Sequence, residues 1–339
     1  SQGGYGSAAE KEAYGSAVLM NDIDLNDQEW VPISVVTSTT TRKGYTGTFD
    51  GQGHTISGLN AIVDPETSGA KGAALFGHVY GGTIKNLTVV GKSTGTRNTA
   101  GIAAVLYPGT ISNCISRVTV NCTNTSGGIV SNMNMNASDS GNLKIVNCGN
   151  EGNVVSSYTG RSTNIGGICG SMSKGEIMGC YNTGAVSTGG MRAVGGIAGS
   201  AGGDVTNCYN IGVVSTSNSS GQQIGGIVGM FSGTTLTNCY NTGTVTAPKY
   251  DPIVGKSSGA AYANCYYIDK TGTDENENAL PAADINTARF ATKLGAAFGS
   301  LGSGAPVLMW QTGAKAVAAF DVTPEDAVVT LTPAAQAAA

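Results

Sequence analysis

A three-residue pattern returns along most of the chain at intervals near 29 residues. It reads Ser112-Asn113-Cys114, Val146-Asn147-Cys148, Met178-Gly179-Cys180, Thr206-Asn207-Cys208, Thr237-Asn238-Cys239 and Ala263-Asn264-Cys265. Lys85-Asn86-Leu87 and Ser57-Gly58-Leu59 fill the same slot upstream, and the steps are 28, 27, 34, 32, 28, 31 and 26 residues. A second column runs in register with the first: Gly166-Gly167-Ile168-Cys169-Gly170, Gly195-Gly196-Ile197-Ala198-Gly199 and Gly225-Gly226-Ile227-Val228-Gly229, with degenerate copies from Ala73, Ala100, Gly127 and Asp251. The central aliphatic precedes the slot by 11 or 12 residues in six of seven units, and by 19 in the unit with an insertion around Met133 to Asp139. A third column follows the slot, as in Cys180-Tyr181-Asn182-Thr183-Gly184-Ala185-Val186. Each unit thus holds three short apolar patches and no helical i, i+3, i+4 run. Such a unit cannot close a core alone, but stacked units share one. The pattern predicts an all-β chain, a parallel β-solenoid of about eight coils over residues 15–268.

Stacking accounts for an unusual composition. Charged residues are 12% of the chain, against roughly 25% in an ordinary soluble domain. Identical slots in neighbouring coils lie about 4.8 Å apart, so a column of like charges repels itself, whereas Asn, Ser and Thr columns do not. The 52 glycines are expected at corners, where φ is positive or backbones approach too closely for a Cβ. The Ile/Leu, Cys/Leu and Val columns are the expected core. Net charge is -4 and no stretch concentrates Lys and Arg, which argues against nucleic-acid binding. Apolar runs fall far below the roughly 18 residues of a spanning helix. With no signal-peptide pattern at Ser1, the chain reads as cytosolic or as the mature part of a secreted protein.

The Gly-Gly-aliphatic-x-Gly runs resemble the GLUG motif. So do the stretches Leu19 to Leu25, Trp30-Val31-Pro32-Ile33 and Gly47 to Ile56, and the exit Asn264-Cys265-Tyr266-Tyr267 with Pro306 to Trp310. The resemblance spans roughly residues 15–312. GLUG repeats occur in large bacterial surface proteins, including adhesin-like proteins and regions flanking IgA-protease-type peptidases. The resemblance implies a right-handed parallel β-helix and an extracellular or cell-surface setting, and no activity.

The period stops after Tyr267. Residues 269–312 are expected to form an acidic loop, a helix capped by Asp284 with an apolar stripe of Phe290, Leu294, Phe298 and Leu301, and a closing strand. This unit is expected to cover the open end of the solenoid. Residues 1–14 read as an N-terminal arm. Residues 313–339 read as a β tail, the start of an Ig-like module or a strand for self-association.

Candidate sites are few. The cysteines have no CxxC pair and no zinc spacing, so they read as buried thiols acting as small hydrophobes; Cys122 and Cys169, off the column, are open to pairing. Asp22, Asp24 and Asp27 form an acidic segment that a hard cation would suit, but the EF-hand pattern is absent and no metal or other cofactor is expected. Glu176 and Asp204 share a slot one coil apart and are the best pair for the two carboxylates of a polysaccharide lyase or hydrolase. Other coils hold Thr110 and Thr235 there, which favours a solvated turn position. His54 reads as structural and His78 as isolated. Tyr181, Tyr209 and Tyr240 share a slot, as do Ser187, Ser215 and Thr246. A tyrosine ladder suits contact with a host or microbial surface glycan or protein, or simply stabilises the stack. Asn86, Asn124, Asn136 and Asn218 lie in Asn-x-Ser/Thr sequences. These features favour a non-enzymatic surface or secreted structural or adhesive protein over a carbohydrate-active enzyme.

Overall fold

The computed structural model describes residues 15–34, 44–62, 72–136, 139–157, 159–160, 164–190, 192–220, 223–259, 262–269, 274 and 276–314. The arm expected at 1–14 and nearly all of the expected β tail lie outside these residues.

Each repeat makes one coil of a parallel β-solenoid of about seven turns. One sheet stacks Phe76–Val79, Ala103–Leu106, Val130–Met133, Cys169–Met172, Ala198–Ala201, Val228–Phe231 and Val254–Ser257. A five-stranded sheet runs from Thr99–Ala100 to Gln223–Gly225, and a larger sheet wraps the other sides. The columns read from the sequence are the columns that stack: Ile145 pairs with Ile177, Val186 with Val214 and Cys239 with Cys265. The largest core cluster runs inside the solenoid and takes in Ile177, Cys180, Val186, Val194 and Ile197 from a single coil.

The Asn of the slot has a physical cause. Asn86, Asn113, Asn147, Asn207, Asn238 and Asn264 all sit at φ between 52° and 54°, and Gly179 at 62°. This left-handed step, which Asn and Gly tolerate best, breaks the strand alternation. Ile177 and Cys180, three apart, therefore both face the core. The glycines of the second column obey the other half of the expectation, close approach. A Cβ on Gly196 would lie 2.2 Å from Gly226 O and 2.3 Å from Asn210 Cγ, and one on Gly195 2.1 Å from Ala198 O.

Three expectations need correction. First, Ser57-Gly58-Leu59 is not in the Asn-Cys slot: Asp50 pairs with Lys85, while Leu59 pairs with Gly91 on the next side of the coil. Gly58 also steps through positive φ, 65°, so it mimics the slot in a coil whose true slot lies just after Asp50. Second, the expected helix is two short ones, Ala282–Ile285 and Ala288–Leu294. Thr287, not Asp284, supplies the side-chain cap, accepting from Phe290 N; Asp284 lies within the first helix, whose Pro281 cap makes no side-chain bond. Phe298 belongs to a short strand, Phe298–Gly299, antiparallel to Val307–Leu308, and Leu301 is exposed. Third, apart from one strand, Ala279–Leu280, laid on Tyr267 and Ile268, this segment does not close the solenoid's end. It runs back along its side.

Candidate functional site

The tyrosine slot is where the chain's two halves meet. Tyr181, Tyr209 and Tyr240 stack in register, with ring centroids 5.5 and 5.0 Å apart and planes within 12° and 6°. The C-terminal segment lies over them. Phe290 packs edge-on against Tyr240 and Tyr266, while Phe298 lies tilted against Tyr240 and Trp310 tilted against Tyr181. Tyr209 donates to Gln311 Oε1 at 3.0 Å, Tyr240 donates to the Pro306 carbonyl, and Trp310 Nε1 donates to Gly179 O at 2.8 Å. The three rings are left 4, 3 and 1% exposed. The ladder is thus a seam rather than an open binding face, which corrects the reading of these residues as a surface ligand site. Burial raises the phenol pKa of all three, Tyr209 to about 12.

At the ladder's open end a charge pair emerges that sequence reading missed. Glu151 accepts from Arg117 Nε and from the Tyr181 hydroxyl, each at 2.7 Å. Burial opposes the Glu151 charge, but the bonds from Arg117 and Tyr181 outweigh it and hold the carboxyl below its usual range. A signal was present: Arg117 and Glu151 each follow a column cysteine, Cys114 or Cys148, by three residues.

The other candidates are tied into the stack. Glu176 and Asp204 are register partners, and each carboxylate is held by a partner of its own. Glu176 Oε2 lies 2.8 Å from Lys144 Nζ, and Asp204 Oδ1 accepts from Thr235 N at 2.8 Å. Asp22 Oδ1 accepts from Thr55 N and contacts His54 Nδ1, and Asp24 Oδ1 accepts from Asn26 N. Asp27 takes a positive-φ turn position. Among the described residues no three His, Cys, Asp or Glu side chains converge as a metal site would require.

All eight cysteines are free thiols and buried, including Cys122 and Cys169. Desolvation raises the Cys169 thiol to about 12 and pushes Cys114, Cys180 and Cys239 well above their usual value. Such thiols are inert. A second buried ladder went unpredicted as such: Asn150, Asn182, Asn210 and Asn241 bond amide to carbonyl at 2.8, 2.7 and 2.8 Å. Each amide also donates to the Gly carbonyl two residues on. Ser187 and Ser215 line a shallow hydroxyl-walled groove with Ser156, Thr188 and Ser217.

Among the described residues no helix is long and apolar enough to cross a membrane. No family model matches the chain. A 91-residue stretch, 26% of the chain, is 41% identical to part of Halomucin from Haloquadratum walsbyi, of which it spans 1%. The fold is similar to the crystal structure of a candidate immunoglobulin A1 protease from Bacteroides ovatus, with a TM-score of 0.58 and 19% identity over 87% of this chain and 86% of that one. At that identity the likeness establishes a shared β-solenoid fold and nothing about activity.

Proposed function

We propose that this chain is a non-enzymatic structural module of a bacterial cell-surface or secreted protein, a stalk or display scaffold of GLUG type. The observation that carries this reading is the seam itself. The stacked Tyr, Asn and Cys columns and the overlying C-terminal segment commit the tyrosine ladder and the buried amides to holding the stack together, and leave Ser and Thr outermost. Repeated columns of this kind make a stiff rod, since every coil is bonded to both neighbours. The GLUG-like residues support a surface setting, and the local likeness to Halomucin is in keeping with it. A surface glycan or protein is then the partner class, met by the outer Ser and Thr columns or by neighbouring domains.

A polysaccharide lyase or hydrolase is the reading this one displaces. Its carboxylates would have to be Glu176 and Asp204, each already held by Lys144 or by the Thr235 amide. Turnover of a panel of acidic and neutral polysaccharides by the intact chain tests the choice. The structural reading expects no cleavage; cleavage that disappears in Glu176→Gln or Asp204→Asn overturns it.

A further inference from the structure

The phenols of the seam differ in one chemical respect, the atom that each hydroxyl bonds. Tyr209 donates to the amide oxygen of Gln311, Tyr240 to the Pro306 carbonyl and Tyr266 to Asn264 Oδ1. None of these oxygens is a base. Tyr181 alone among the four donates to a carboxylate, Glu151 Oε1 at 2.7 Å, while Arg117 Nε holds the other oxygen at 2.7 Å. Gly149, its register partner one coil earlier, makes that bond possible. A Cβ there would lie 2.3 Å from Tyr181 Cζ, so only glycine lets the ring lean across to Glu151.

A neutral phenol is too weak an acid to give its proton to a carboxylate, but a phenol that has lost an electron is a strong one. Oxidation of the ladder is therefore most favourable where a carboxylate stands ready, at Tyr181. The rings supply the route. Tyr240, Tyr209 and Tyr181 stack with centroids 5.0 and 5.5 Å apart, and the half-buried Trp310 lies 5.7 Å from Tyr181. The adjoining thiols lack this help. Cys180, Cys208 and Cys239 each precede a ladder tyrosine, and their Sγ atoms face the carbonyls of Met178, Thr206 and Thr237 at 3.2 to 3.3 Å, which are not bases either.

We propose that Tyr181 and Glu151 form a redox site, a trap for small oxygen-centred radicals that act as one-electron oxidants. The radical takes one electron from Tyr181, by way of Trp310 or the ladder, and is reduced to its anion. The Tyr181 hydroxyl proton passes to Glu151 Oε1 across the hydrogen bond, within the reach that proton transfer requires. Tyr181 is left as a neutral phenoxyl radical and Glu151 as a carboxylic acid, so charge and protons balance. The oxidising equivalent then rests in the seam, outside the core that holds the thiol column. This role does not depend on whether the module is a stalk.

Flash photolysis of the intact chain with a ruthenium tris-bipyridine photo-oxidant and a cobalt(III) quencher tests it, read by transient absorption and freeze-quench electron paramagnetic resonance. The expected result is a long-lived neutral tyrosyl radical that is lost in Tyr181→Phe. It should persist in Tyr267→Phe, which removes a phenol bonded to another carboxylate, Asp274 at 2.7 Å, but not stacked on any ring among the described residues. Glu151→Gln keeps an acceptor oxygen and loses the base, and should slow formation of the radical about a hundredfold. A long-lived radical that survives in Tyr181→Phe overturns the proposal, as does a formation rate that Glu151→Gln leaves unchanged. The rate comparison decides the matter even where Tyr181→Phe loosens the ladder.

Discussion

The indole of Trp310 donates a 2.8 Å hydrogen bond to the carbonyl of Gly179, 131 residues earlier. Gly179 stands in the one cysteine-slot position between Asn86 and Asn264 where Gly replaces Asn. The C-terminal segment is therefore pinned to the coil in which Gly breaks the column of positive-φ Asn residues, and it reaches there across the tyrosine seam. Trp310→Ala should free the far end of this segment, lowering stability by about 2–3 kcal/mol and opening residues 298–310 to protease before the solenoid melts. Limited proteolysis beside a thermal melt checks this. Equal protection in variant and parent would place the anchor elsewhere.

The buried asparagine ladder predicts an asymmetric response to charge. In Asn210→Asp the new carboxylate would face the Gly212 carbonyl and Asn241 Oδ1, both acceptors, so it is held protonated. Its folded pKa is raised above the unfolded value, so the variant's stability is fully present below about pH 4 and is lost as pH rises through the folded pKa. Urea midpoints at acid and neutral pH check the direction; a variant more stable at neutral pH would contradict it.

Gly196→Ala should cost about 3 kcal/mol, because its Cβ would press on the Gly226 carbonyl and on Asn210. Gly53→Ala is no blank control, since its φ is 85°; Gly15→Ala, with nothing within 4 Å of its Cβ, should leave the melting temperature unchanged.

Two buried groups predict opposite pH limits. His78 is buried and its imidazole pKa is lowered by desolvation to about 4. The stability this gives is present above the unfolded value near 6.5 and is lost as pH falls toward about 4. Cys169 is raised by desolvation to about 12, so its contribution is lost as pH climbs from about 9 toward that value. His78→Gln should lessen the acid-side loss and Cys169→Ala a part of the alkaline-side loss, which Tyr209 and the other buried phenols and thiols share, each variant leaving the opposite limb in place.

Most of the fold was legible because repetition averages out local ambiguity. One Asn-Cys pair says little, but five of them and Gly179-Cys180 at coil spacing place Cys148, Cys180 and Cys208 in the core column. Legibility failed where repetition failed. The coil containing Phe49 and Leu59 lacks the Gly-Gly signature, so a single positive-φ glycine was enough to misplace it. The pairing of Trp310 with Gly179 is non-local and occurs once, leaving no period to detect. The stripe of Phe290, Leu294 and Phe298 was read correctly as apolar, but what it covers is fixed by three-dimensional packing on Tyr240 and Tyr266, which spacing alone cannot reveal.

The tyrosine seam is the part of this account most directly open to test. Native chain treated with a phenol-modifying reagent and mapped by peptide mass spectrometry should carry the label on Tyr250, which is 52% exposed, while Tyr181, Tyr209 and Tyr240 stay unmodified until the protein unfolds. Labelling of Tyr209 and Tyr240 at the rate of Tyr250 in the folded chain would mean the ladder is an open face, and would contradict the structural reading.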